Sequence, residues 1–324
     1  MKTMSRKTNR EVSFGLLVLI GVMALVLSGC TSESANKVIM DWANQNDLER
    51  PSDRWETSCG DIPDVRGARY CFYKTGPDPQ YTIWFFHGAG DSERVFQTSP
   101  FNQRSYIELG QDLPSVNIVT ISYGPIWLMT DNADRRLRPV DATVDTFRKK
   151  IVRFIDNGFR PAHPYVAMGH SQGGANVATL CAALPHMWSK CVLLNPMLLD
   201  CDPFDSWPVC PTISSPLAAL APNVLIRANY FATEWRKTQP LVLLKKAKTL
   251  PPSFVTACSA DEFGLFTGPK AWSGHANQLW SNSRWVPGPT GCDHFQWPAR
   301  AVLDFLGPHR IQSAPVAAVG VEHR

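Results

Sequence analysis

The sequence predicts an α/β fold: a mostly parallel central sheet with helices on both faces. Three observations predict it. Apolar runs of strand length recur at residues 81–86, 116–122, 165–168, 191–194 and 253–258. Helical segments fall between them, and such alternation implies parallel strands joined by crossover helices. The third observation is local. The run 165–168 enters the pentapeptide Gly169 to Gly173, of form Gly-x-Ser-x-Gly, and a stretch rich in Ala, Leu and Val follows from 175 to 184. That order reads as strand, sharp turn, helix.

Taken in chain order, residues 69–74 and 81–86 read as early strands parted by the turn-prone Gly76, Pro77, Asp78 and Pro79. Residues 101–113 read as helix and 116–122 as strand. Apolar residues at Val140, Val144, Phe147, Ile151, Phe154 and Ile155 give helical spacing over 140–157, with Asn157 and Gly158 as its stop signal. Strand 165–168, helix 172–184 and strand 191–194 follow. Residues 196–250 form an insertion rich in Pro, Trp, Phe and Leu. Its amphipathic stretch 217–230 either lines an apolar pocket or packs as core. Strands at 253–258 and 283–286 and a last helix at 299–306 complete the domain, set at 66–310. Residues 30–65 read as a polar tether and lead-in, and 311–324 as a disordered tail.

A serine on a sharp strand-to-helix turn projects its hydroxyl beyond the end of the sheet, where a base and a substrate can reach it. Ser171 holds that position. Gly169 and Gly173 fit because strand and helix crowd the turn and leave no room for a Cβ. Strand 81–86 ends in His87, Gly88, Ala89 and Gly90, a tight turn able to aim N–H groups at a developing oxyanion. Ala89 is the expected donor there, and Gln172, directly after the serine, is the second. His87 reads as a turn-stabilising residue. Strand 253–258 is followed by Asp261 and Glu262. Asp261 is preferred as the acid that orients a base, with Glu262 the fallback and Asp200, Asp202 and Asp205 competing after an earlier strand. His294 lies in a Gly- and Pro-rich loop before the last helix and suits the base. His275 is the alternative.

These segments resemble the α/β-hydrolase superfamily, in particular its esterases and lipases, over about residues 66–308. The resemblance implies Ser171 as nucleophile, Asp261 as acid, His294 as base, and the backbones of Ala89 and Gln172 as oxyanion hole. It further implies a cap in the 196–250 insertion, a small-molecule or lipid ester as substrate, and no metal or organic cofactor. The four-residue HGGG form of the oxyanion turn is absent, which disfavours a hormone-sensitive-lipase-like subfamily. A peptidase or thioesterase can use the same triad. A lipoprotein that keeps the fold can also bind a ligand without turnover.

The N-terminus reads as an address. Lys2, Arg6, Lys7 and Arg10 precede an apolar run from Phe14 to Leu27, too short to span a bilayer comfortably. Leu27, Ser28, Gly29 and Cys30 then resemble the lipobox of bacterial lipoproteins. That implies cleavage after residue 29, a lipid on Cys30 and a membrane anchor, with Thr31 favouring the outer membrane where one exists. Removing residues 1–29 takes away four basic residues and Glu11, so the formal charge falls from +4 to +1. The mature chain therefore suggests no nucleic-acid surface.

Nine cysteines less Cys30 leave eight, in a compartment that export makes oxidising. Local spacing suggests four bridges: Cys59 with Cys71, Cys181 with Cys191, Cys201 with Cys210, and Cys258 with Cys292. The last would tie the acid loop to the base loop. No Cys-x-x-Cys pair or tight Cys/His cluster suggests a metal site.

Overall fold

A computed structural model describes residues 50–98, 103–123, 128–130, 142–200, 202–204, 226–227, 230–259, 261 and 265–307. The central sheet has eight strands in the order β1-β2-β4-β3-β5-β6-β7-β8. In chain order these are β1 (Glu56–Asp61), β2 (Arg69–Lys74), β3 (Thr82–Phe86), β4 (Asn117–Ser122), β5 (Tyr165–His170), β6 (Lys190–Leu194), β7 (Ser253–Ala257) and β8 (Ser283–Pro287). The pairs β1–β2 and β2–β4 are antiparallel, and every later pairing is parallel.

Both faces of the sheet are covered, and the strand residues sort by alternation. Trp84, Phe86, Val119, Ile121, Ala167 and Leu193 point into one apolar layer. Ile83, Phe85, Ile118, Val166, Met168, Val192 and Leu194 point into the other. Period-two geometry sends neighbours to opposite faces, so a strand apolar at every position must be covered twice. The second layer is closed by α1 (Gln103–Asp112) and the last helix (Ala299–Leu306), which pack on one another. The first is closed by the helix over 144–159, by the helix Gln172–Ala183 that follows β5, and by Thr267–Trp280.

Three expectations change. The lead-in assigned to 30–65 yields β1 at its end, so the fold starts before residue 66. Strand β1 carries the polar sequence ETSCGD at a half-exposed edge, so it has no apolar pattern to read. Pairing with β2 and the Cys59–Cys71 bridge hold it there. The helix over 144–159 continues past Asn157 and Gly158 and ends at Phe159, with Arg160 in the left-handed region. The extra residues let Phe159 stack on Phe72, with ring centroids 4.6 Å apart. That contact outweighs the local stop signal. The helix Thr267–Trp280 escapes the periodicity because Gly268, Pro269 and Gly274 dilute its pattern, yet it buries Trp272 and Ala276. Within the predicted insertion, Pro240–Lys246 is a helix packed on Gln172–Ala183 and on Thr267–Trp280. That end of the interval therefore packs on the helices over the sheet. Residues 205–225, with most of the amphipathic stretch 217–230, lie outside the described residues, as do residues 1–49 and 308–324.

Two outcomes test this packing. Phe147 is fully buried against Trp84 and Phe86, with ring centroids 5.3 and 5.7 Å away. Phe147→Ala should cost about 3–5 kcal/mol of unfolding free energy, read by denaturant titration. His87, at the end of β3, is also fully buried, and burial lowers its pKa to about 4. The unfolded chain therefore takes up this proton first. The contribution of His87 is complete above about pH 6.5 and is lost as pH falls towards about 4. Thermal melting across that window should show the loss in the wild type, and His87→Gln should reduce it, leaving the part that His170 contributes.

Candidate active site

Strand β5 runs straight into the turn. Ser171 adopts φ 53° and ψ −118°, outside the regions favoured by L-residues. Such a conformation costs on the order of 1–3 kcal/mol and persists only where the surroundings impose it. Here they do. A Cβ on Gly173 would lie 1.9 Å from the Phe86 carbonyl oxygen, and one on Gly169 would lie 2.4 Å from the Gly173 carbonyl. Helix, strand β3 and turn thus meet backbone to backbone. The Ser171 N–H donates to the Leu194 carbonyl at the end of β6 (2.9 Å), and its own carbonyl accepts from Met197 N (2.8 Å).

The turn after β3 lies beside this serine. A Cβ placed on Gly88 would sit 3.4 Å from Ser171 Cβ. Ala89 follows on the exposed surface of that turn. Gln172 opens the helix Gln172–Ala183, and N–H groups in a first turn have no intrahelical acceptor. His87 is buried beneath the turn, with Nδ1 donating to the Gly88 carbonyl at 2.7 Å.

The loops after β7 and β8 bring Asp261 and His294 together. His294 Nδ1 lies 2.6 Å from Asp261 Oδ2, and both side chains are buried. Asp261 is positioned by its own N–H, which donates to the Cys258 carbonyl at 3.3 Å. The histidine loop is shaped by its neighbour. Asp293 Oδ1 accepts from Phe295 N at 2.8 Å, and Oδ2 accepts from Gln296 Nε2 at 3.1 Å. Burial raises the Asp293 carboxyl above its ordinary range, against the opposing effect of the Phe295 N–H and of nearby His294. The Cys258–Cys292 bridge joins the two loops with Cα atoms 5.7 Å apart. The bridges Cys59–Cys71 and Cys181–Cys191 are formed as well, while Cys201 and Cys210 lie outside the described residues.

His170, directly before Ser171, packs its ring 5.0 Å from the His294 ring and 5.0 Å from that of Trp297. Burial, with the neighbouring His294 second, drives its pKa well below the ordinary histidine value, so the ring is neutral. The alternatives sit elsewhere. His275 lies mid-helix in Thr267–Trp280. Asp200 is exposed, and Asp202 pairs with Arg236. Asp205 and Glu262 lie outside the described residues, as does Cys30. Among the described residues no three His, Cys, Asp or Glu side chains group so as to hold a metal ion, and no helix is long and apolar enough to cross a membrane.

One residue of this site carries no sequence signal that separates it from a loop. Asn195 directly follows β6, with φ 40°, and is fully buried. Its Nδ2 donates to the carbonyls of His294 (2.6 Å) and Gln296 (2.9 Å), and its Oδ1 accepts from Cys258 N (3.0 Å). In the sequence it precedes Pro196 and reads as an ordinary Asn-Pro turn.

No family model and no curated protein matches the chain. Solved structures do. An esterase from Rhizomucor miehei is 16% identical, with TM-score 0.56, covering 86% of this chain and 89% of its own. Carboxyl esterase 2 of Tuber melanosporum is 13% identical, with TM-score 0.55, covering 78% and 85%. EstE1, a thermophilic carboxylesterase cloned from a metagenomic library, is 16% identical, with TM-score 0.52, covering 78% and 84%. Identity at this level speaks to architecture and not to activity. With eight mostly parallel strands between two helical layers, the chain has the α/β-hydrolase fold.

Proposed function

We propose that the chain is a serine hydrolase that cleaves carboxylic esters through an acyl-enzyme. One observation carries this reading: the buried 2.6 Å hydrogen bond between His294 Nδ1 and Asp261 Oδ2, with His294 packed on His170, the residue directly before a serine held in a strained turn. The names of the three structural neighbours described above, each an esterase, support it.

Each residue then has a task. The Nδ1–H of His294 donates to Asp261, which fixes the tautomer and leaves Nε2 as the basic nitrogen. As Ser171 Oγ attacks the ester carbonyl, its proton moves to His294 Nε2. Charge gathers on the carbonyl oxygen, and the N–H groups of Ala89 and Gln172 are the donors assigned to it. The imidazolium is stabilised by the Asp261 carboxylate, at a depth where solvent screens the pair poorly. His294 then returns the proton to the departing alkoxide, and an alcohol leaves. Water attacks the acyl-enzyme with the same histidine as base, which releases the acid and regenerates Ser171.

The chain is also read as an exported lipoprotein anchored through Cys30. Three disulfides among the described residues support export, because such bridges persist in oxidising compartments. The lipobox-like sequence before Cys30 supports the anchor.

Two experiments test these readings. A fluorophosphonate probe should label the wild type, and Ser171→Ala should abolish labelling and cut p-nitrophenyl ester turnover by on the order of 10³-fold with folding intact. His294→Ala should behave alike and Asp261→Asn should lose much of the rate, while His275→Ala should stay near wild type. Turnover surviving in Ser171→Ala would remove the nucleophile assignment. For the anchor, Cys30→Ser should leave an unprocessed precursor or release the protein from membranes, as read by fractionation. A wild type found wholly soluble after export would contradict the lipobox.

A further inference from the structure

The three loops that carry Ser171, Asp261 and His294 converge on one dipeptide, Leu194–Asn195, at the carboxyl end of β6. The Leu194 carbonyl accepts the Ser171 N–H at 2.9 Å. The Asn195 side chain reaches the other two loops. Its Oδ1 accepts the N–H of Cys258, three residues before the acid, at 3.0 Å. Its Nδ2 donates to the backbone carbonyl of the base itself, His294, at 2.6 Å, and to Gln296 at 2.9 Å.

The orientation of this carboxamide is fixed by its partners. Two carbonyl oxygens require the NH₂ end, and one N–H requires the oxygen. A flipped amide would set oxygen against two oxygens. Asn195 is wholly buried, so water cannot replace a partner that is lost. Its own N–H donates to the Thr256 carbonyl at 2.9 Å, which anchors it to β7. Its left-handed φ of 40° bends the chain out of the sheet at this point, and Asn tolerates that conformation better than most residues. The His294 carbonyl has a second contact, His170 Nε2 at 3.1 Å. A neutral ring bonding there carries its proton on Nε2 and donates.

We infer that Asn195 is a positioning residue: its carboxamide clamps the base loop against the acid loop and sets His294 at the height of Ser171. The inference rests on the ester-hydrolase reading for its kinetic consequence and on geometry alone for the alignment of His294 with Asp261. The disulfide Cys258–Cys292 keeps the two loops adjacent but leaves them free to pivot. Asn195 adds three hydrogen bonds that remove this freedom, and two of them fall at Cys258 and at His294. A displacement of about 1 Å at the base is enough to cost on the order of 10²-fold in rate.

The test compares Asn195→Ala with Asn117→Ala. Asn117 is a buried asparagine at the opposite end of the sheet, whose Oδ1 accepts from Ala162 N at 2.9 Å, so its loss removes a similar buried bond far from the site. Two readouts are taken on the folded full-length variants: kcat and KM on a p-nitrophenyl ester, and the downfield proton resonance of the Nδ1–H···Asp261 bond, assigned by its absence in His294→Ala. Asn195→Ala should lower kcat by about 10- to 10²-fold with KM within about threefold, and should shift or broaden the resonance. Asn117→Ala should lower thermal stability and leave both readouts in place. Should Asn195→Ala not fold, Asn195→Ser, which keeps one hydroxyl in that space, is judged by the same two readings with a smaller loss of kcat. A kcat near wild type with an unmoved resonance would overturn the inference, as would equal effects from Asn117→Ala. If the wild type turns over no ester, the ester-hydrolase reading fails. The resonance then still decides whether Asn195 holds His294 on Asp261.

Discussion

The close approach of the Gln172–Ala183 helix to strand β3 is the constraint on which the rest of the site depends. At Gly173 the backbone of the helix meets the Phe86 carbonyl so closely that a Cβ would lie 1.9 Å from that oxygen. No side chain fits between them, and the consequences run outward from that contact. The turn between β5 and the helix is compressed, so Ser171 is forced to φ 53°. The loop after β3 is brought alongside, so Gly88 comes within van der Waals reach of the serine. A strained conformation of this kind survives only because buried packing on every side outweighs its cost. Here Phe86, Ala167, Val177 and Leu193 supply part of that packing.

Asp261 and His294 are held by a different means. Neither sits in regular structure. Asp261 and His294 lie in loops after adjacent parallel strands, β7 and β8, so the sheet brings the starts of those loops together without fixing their tips. The tips are fixed by a disulfide, by the Asx-type bonds of Asp293, and by the Asn195 carboxamide. The division follows from the chemistry. A nucleophile needs one exposed hydroxyl, which a turn can present. An imidazole–carboxylate pair needs two side chains aligned within a few tenths of an ångström, and cross-links between loops provide that better than loops alone.

Burial also sets the charge state of the histidines around the site. His87 and His170 are enclosed in apolar surroundings that penalise a positive charge, so both are neutral. His294 has a carboxylate partner, Asp261, while His170 lies against the His294 backbone carbonyl and the His294 and Trp297 rings. Three imidazoles packed around the serine turn therefore have different surroundings, and His294 is the one hydrogen-bonded to the Asp261 carboxylate.

The sequence by itself determined whatever is repeated, apolar or local. The strands β3 to β7 were legible because each is a predominantly apolar run, which is what burial on both faces favours. The elbow was legible because its glycines and serine lie within five residues, and strand, turn and helix are contiguous there. Three cysteine pairs were legible because each joins cysteines that are consecutive along the chain. Tertiary structure alone decided the rest. It made an edge strand of the polar segment Glu56–Asp61, since backbone pairing and a bridge need no apolar pattern. It carried one helix past a glycine to seat Phe159 on Phe72. It brought Asp261 to His294 across 33 residues of sequence, where composition offered several acids and several histidines. It placed Asn195 against both loops, although a lone asparagine before a proline says nothing of what it will face. These outcomes share one physical reason: each is set by a partner distant in the chain, and a residue's sequence neighbours carry no record of which distant groups the fold will bring beside it.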